Sequence, residues 1–338
     1  MPTPTIPAGN LYMNATTYTG NGSTQTITNG VAGQSFQPDF VWGKVRSTVE
    51  NHCLYDSLRG AGYILKSNTT DAELNNVGFN LTSFNSNGFS LGVGNQINQS
   101  GQTNVAWQWK AGGTAVTNTS GTITSQVSAN TTSGFSIVTY TGTSGAGTVG
   151  HGLGVAPAFI IAKSRNNAVN WITYHQSTGK DAYMNLNTTN ASASLSNYWG
   201  TSVNSTTFGF LSNAYDNANG NMVAYCWSEI AGFSKFGSYT GNGSTDGPFV
   251  YLGFRPKFIL FKVTSTAGSW VIHDSSRDPY NASQSDLYPN LSNAEATSNA
   301  MDLLSNGFKL RNTDNTNAAQ TYIYAAFAEN PFKYANAR

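Results

Sequence analysis

Hydrophobic and polar residues alternate along much of this chain with a period of two, in short runs that end at turns bearing glycine or asparagine. The runs "FVWGK", "FIIAK" and "FILFK" are β-branched and aromatic. Each is entered through a proline (Pro38, Pro157, Pro256), a residue that suits the first position or the edge of a strand and not a helix interior. "FSIVTYTG" and "FSKFGSYTG" alternate large and small side chains and stop at a glycine turn. Asn21-Gly22, Asn87-Gly88, Asn242-Gly243 and Asn306-Gly307 are dipeptides that supply the positive φ of tight hairpins. Turns at intervals of about 8–12 residues between short strands predict an antiparallel sandwich. Helical turns are expected only at "TTDAEL" (69–74) and "SNAEATSNAMDLL" (292–304), where an N-cap residue precedes acidic ones.

The pattern repeats. "YTGNGST" occurs at 18–24 and again at 239–245, and "YTGTSG" begins at Tyr140. Lys44, Lys163 and Lys262 each stand six residues past their proline, and Tyr55, Tyr174 and His273 stand 17 past it. Phe89, Phe208 and Phe308 follow at 51, 51 and 52 residues, and Trp109, Trp227 and Phe327 at 71, 70 and 71. Agreement at four landmarks predicts an all-β chain, a tandem array of three related antiparallel β-sandwich modules of jelly-roll or lectin-like kind. Their spans are 10–112, 133–232 and 233–338. Residues 113–132, rich in Gly, Ser and Thr yet alternating like strands, are expected to form an ordered connector or added hairpin, with a floppy linker as the alternative. The second and third modules join without a spacer, which predicts a fixed interface.

Composition narrows the function. Only 10% of the residues are charged, against about 25% in an ordinary soluble domain. Amides, hydroxyls and 35 glycines fill the deficit, while aromatic residues at 12% supply core material. Seventeen basic and 16 acidic residues are dispersed, without the basic stripe that a phosphate backbone requires, so nucleic acid is not an expected partner. No apolar run is long enough to cross a bilayer, and "MPTPTIPAGN" lacks the features of a secretory signal. Cys53 and Cys226 sit at non-equivalent places and form no disulfide framework, which suits synthesis in a reducing cytoplasm.

Chemistry is sparse. "YDSLRG" (55–60) and "HDSSRD" (273–278) place Asp56 and Asp274, and Arg59 and Arg277, at equivalent positions. Each pair could clamp a carboxylate or sugar, or could simply pin a turn. The second module has His175 and Thr178 in these places, which favours the turn. Trp171 and Trp270 are candidate stacking platforms for glycans, with core packing as the alternative role. His52, His151, His175 and His273 show no metal-pair spacing, and the Asn/Asp-rich loops "NQINQSGQ", "DNANGN" (216–221) and "NTDNTN" (312–317) lack the closing bidentate acid of a calcium loop. No metal or cofactor is expected. Nucleophile elbow, phosphate loop and paired glycosidase acids are all missing from the sequence, and no enzymatic activity is expected.

The segments "YTGNGSTQTI", "FQPDFVWGK", "LYDSLRGA", "SNGFSLG", "VAWQWKAGG", "GFSKFGSYTGNGSTDGPFVYLGFRPKFILFK" and "YIYAAFAENPFKYANAR" resemble an uncharacterised phage domain found in virion-associated proteins of marine bacteriophages that infect cyanobacteria and other abundant marine bacteria. The resemblance runs from about Asn10 to Arg338. It implies a concanavalin-like β-sandwich in a virion structural protein, made in the host cytoplasm and placed on the capsid exterior or in a tail appendage. It implies no catalytic residues. Because the first module starts by about residue 10, a compact decoration, knob or short appendage is expected over a long fibre, attached through the modules or the "MPTPTIPAGN" arm. The expected partners are other virion proteins and further copies of this chain, and, if the protein is instead an adhesin, a host-surface glycan.

Overall fold

The computed structural model describes residues 6, 9–30, 33–211, 219–313 and 315–329; most of the arm, residues 216–218 of the loop at 216–221, Asp314 and the "NPFKYANAR" end lie outside them. The fold is all-β, a set of antiparallel sheets packed as sandwiches. Helix among the described residues is limited to Gly9–Leu11 and Asn95–Asn98.

Three central sheets share one strand order, which is set by four strands in each segment of the chain. The opening strands are Met13–Thr19, Phe135–Gly142 and Ser234–Thr240. The proline-led strands are Phe40–Val45, Phe159–Ser164 and Pro256–Val263. Their hairpin partners are Cys53–Asp56, Ile172–His175 and Val271–Asp274, and the closing strands are Thr103–Trp109, Gly220–Trp227 and Thr321–Ala328. In every sheet the closing strand lies between the opening and proline-led strands. Trp109 pairs with Met13 and Phe40, Trp227 with Phe135 and Phe159, and Phe327 with Ser234 and Phe258. Proline can only precede or begin its strand, because it has no N–H to give the ladder.

Each central sheet has two buried faces. One packs on a smaller sheet: Val41, Cys53 and Ala106 meet Ile27, Leu81, Phe89 and Leu91 in the first segment, and Val138, Ile160 and Ala224 meet Val149, Phe208 and Phe210 in the second. In the third, Phe308 lies edge-on to Phe261 and Tyr324, at 5.3 and 5.7 Å between ring centroids. The opposite faces of all three sheets join in one core that runs through the middle of the molecule. There Trp109 packs edge-on against Trp227 (5.9 Å) and Phe327 (5.6 Å), the three residues that close the three sheets.

The repeated phrase locks a loop. Tyr18 and Tyr239 donate to the carbonyls of Ile97 (2.8 Å) and Thr316 (2.6 Å). Gly20 and Gly241 lie so close to the neighbouring loop that an added Cβ would sit 2.2 Å from Gln99 O and 2.1 Å from Ala318 O. Buried Asn98 and Asn317 then accept from the amides of Asn21 and Asn242 and donate to the carbonyls of Ser23 and Ser244. Two of the Asn-rich loops of the sequence, those at 95–102 and 312–317, are therefore hydrogen-bonding plugs.

Two expectations fail. Residues 69–74 hold no helical turn, and Leu74–Asn75 is a short strand. Ala296–Leu304 is a strand of nine residues, not a helix. Its inward residues Asn299, Met301 and Leu303 recur every second position, and pairing of 301–304 with Gly307–Leu310 outweighs the local helix signal.

Candidate functional site

The residues singled out from the sequence lie at the seams where the three segments meet. The four-residue strands that carry them end at the seam, so their last side chain faces the closing strand of a neighbouring segment. Asp56 Oδ2 accepts from Tyr225 Oη at 2.7 Å, joining the first segment to the second. His175 Nε2 lies 3.1 Å from Tyr324 O, joining the second to the third. Asp274 Oδ2 accepts from Trp107 Nε1 at 2.9 Å, joining the third back to the first. Three equivalent positions thus make a closed head-to-tail ring inside one polypeptide.

A second ring of backbone hydrogen bonds runs beside it. Glu73 N donates to Arg165 O (2.8 Å), Ser192 N to Thr264 O (3.0 Å) and Glu295 N to Arg46 O (2.7 Å). At two of the three seams this contact carries charge. Arg59 binds Asp56 and Glu73, and Glu73 also takes Arg165 at 2.7 Å. Arg277 binds Asp274 at 2.5 Å and Glu295 at 2.9 Å, and Glu295 takes Arg46 at 2.6 Å. The remaining seam has His175, Thr178, Ser192 and Thr264 in the corresponding places, with Ala325 in place of the ring donor. Loss of the whole set together is what burial demands, since one charge removed alone would leave its partner desolvated and unpaired.

The electrostatics follow from this geometry. Burial by itself would raise the Asp274 carboxyl, but Arg277 and Trp107 hold it below the ordinary range. Burial opposes the charge on Arg59, yet Asp56, Tyr225 and Glu73 keep it firmly protonated. Burial pushes His175 down to about 4 against its bond to Tyr324, so the imidazole is neutral. The repeated lysines Lys44, Lys163 and Lys262 are buried and lowered to about 8. Lys262 reaches across a seam to Thr189 O at 3.1 Å while capping its own turn at Gly268 O (2.7 Å).

Trp171 and Trp270 are also seam residues. Their indoles donate to Lys66 O (2.8 Å) and Asn185 O (3.0 Å) of the preceding segment, and His52 fills the third such position beside the Tyr288 backbone. Both tryptophans are buried, so no pyranose can stack on them in this fold. Asp56, Arg59, Asp274 and Arg277 are buried as well, and their hydrogen-bonding capacity is spent within the chain. The sequence reading missed their partners Glu73, Glu295, Arg46, Arg165, Tyr225 and Trp107. One signal was present: Arg46 and Arg165 each stand two residues past a repeated lysine.

Among the described residues no group of three or more His, Cys, Asp or Glu side chains converges as metal ligands, and no helix is long and apolar enough to cross a membrane. A comparison with curated proteins finds no match. One family model, a domain of unknown function designated DUF7483, matches residues 8–331 and so spans all three segments as a single unit. The chain belongs to the DUF7483 family.

Proposed function

We propose that the chain is a non-enzymatic structural component of a bacteriophage particle, a capsid decoration or tail-appendage knob built from three duplicated sandwich modules. The observation that carries this reading is the closed ring of seam contacts from Asp56, His175 and Asp274, each to the closing strand of the next segment. The Asp–Arg pairs that repeat in the first and third segments are committed to holding the body together. The outcome is a rigid, charge-poor block with a pseudo-threefold arrangement, suited to contacts with other protein shells. Several copies would gather at the symmetric sites of a particle. Mass spectrometry and antibody-labelled electron microscopy of purified particles test the proposal: the chain is expected at a fixed copy number per particle, and its absence would end the reading.

A second reading, a host-surface carbohydrate-binding adhesin, is favoured by one feature, an open polar groove between the first and second segments. The two readings are compatible, because an appendage can both build and bind.

A further inference from the structure

We infer that this groove is a binding site for a neutral oligosaccharide, with Gln126, Thr139, Thr141 and Asn221 as its contact residues. The inference rests on the adhesin reading and not on residence in a virion.

The groove is made by an addition to the common plan. The central sheets of the first and third segments end at their opening strands, whereas that of the second continues through a hairpin, Ser125–Asn130 and Val116–Asn118, laid outside Phe135–Gly142. The hairpin takes no part in the ring of seam contacts, so ring closure does not explain it. Along the opening strand Phe135 and Ile137 face the central core, and two residues further on the same face presents Thr139 and Thr141 to solvent. Gln126 lies opposite Thr139 and Asn221 opposite Thr141, so four hydrogen-bonding side chains share one flat surface. Two adjoining depressions of about 540 and 250 Å³ share Gln126 and Thr139. The larger falls within the usual range of ligand sites. Ser57, Leu58 and the turn Gly113–Ala115 wall one end, and Arg165 closes the other.

The lining decides the ligand class. Arg165 is the charged residue among the lining side chains, and Glu73 neutralises it through contacts of 2.7–3.1 Å. What remains is hydroxyls and side-chain amides, with Leu58 and Ala115 as small apolar rests. Amides and hydroxyls are both donors and acceptors, which is what vicinal sugar hydroxyls require, and the apolar rests suit the C–H face of a pyranose. A sulfated or phosphorylated chain would find Arg165 already paired with Glu73, and an apolar peptide would find only Leu58 and Ala115 as aliphatic anchors.

The test is isothermal titration of the full chain with cellohexaose, laminarihexaose and maltohexaose, and with a heparin-derived hexasaccharide as the charged comparison. At least one neutral hexasaccharide is expected to bind, with Gln126→Ala and Asn221→Ala each weakening it about five- to tenfold, as loss of one or two hydrogen bonds predicts. Both positions are exposed, so the melting temperature should stay within about 2 °C of the parent. Thr26→Ala, on the outer sheet of the first segment, should leave binding unchanged. Preference for the sulfated chain, no neutral binding at millimolar concentration, or binding that neither groove variant alters would overturn the inference. None of these outcomes bears on whether the chain resides in particles, which the particle measurement decides separately.

Discussion

Trp107 and Asp274 are 167 residues apart in the chain, yet the indole N–H of one donates to the carboxylate of the other at 2.9 Å. That bond closes the ring, because it returns the third segment to the first. The carboxylate is shared: Arg277 takes the same oxygen at 2.5 Å, and its guanidinium carbon lies 5.7 Å from the Trp107 ring centroid. Donor, acid and cation form one desolvated unit.

Substitutions in this unit should therefore be unequal. Asp274→Asn leaves Arg277 buried with only Glu295 as a charged partner and should cost about 3–5 kcal/mol. Trp107→Phe removes one hydrogen bond and part of the packed ring and should cost less, about 1–3 kcal/mol. A double variant Asp274→Leu with Arg277→Met should recover much of the loss, because no buried charge is then stranded. Urea unfolding monitored by tryptophan fluorescence measures all three, and equal costs for the single variants would contradict this account.

Acid should weaken the fold well before its carboxylates titrate. Burial holds His151 and His175 near 4, and His52 well below its ordinary value, while each returns to about 6.5 when the chain unfolds. Between these values the unfolded chain binds more protons than the folded one. The histidine contribution to stability is thus fully present above about pH 6.5 and is lost as pH falls toward 4, by up to about 1.4 kcal/mol per pH unit for each histidine. Denaturant midpoints across pH 4.5–7 check the slope. His175→Gln, which keeps a donor for Tyr324 O, should reduce it by about one proton, and an unchanged slope would contradict the assignment.

The shared phrase makes a third case. Gly20→Ala and Gly241→Ala drive a methyl group into backbone at 2.2 and 2.1 Å, so each should cost about 2–4 kcal/mol. Gly145→Ala meets nothing closer than Thr143 Oγ1 at 3.8 Å and should be close to neutral. Thermal unfolding of the three variants would reveal whether the phrase is a packing device, and a harmless Gly241→Ala would show that it is not.

Much of the fold was legible because its signals are local. Proline-led aromatic runs, Asn-Gly turns and the spacing of Lys44, Lys163 and Lys262 each depend on a few neighbouring residues. The strand at Ala296–Leu304 was misread for the same reason: Ala, Asp and Met near an N-cap look helical until Gly307–Leu310 offers itself as a strand partner. The candidate site was legible only in part. Asp56 with Arg59, and Asp274 with Arg277, are local i,i+3 pairs and could be found, but Tyr225 is 169 residues from Asp56 and Arg46 is 249 from Glu295. Spacing along a chain carries no information about which face meets which across a seam. The place of Trp171 and Trp270 was undecidable for a related reason: the same residue type serves a core or a sugar platform, and only the packing of the preceding segment buries them.

The claim on which the rest depends is that three segments share one core and close on one another, so that none can unfold without exposing the others. Differential scanning calorimetry of the full chain tests this most directly. A closed ring predicts one transition whose calorimetric and van't Hoff enthalpies agree, with Asp274→Asn lowering that single transition as a whole. Two or three resolved transitions, or a variant that shifts one and leaves the others in place, would contradict it.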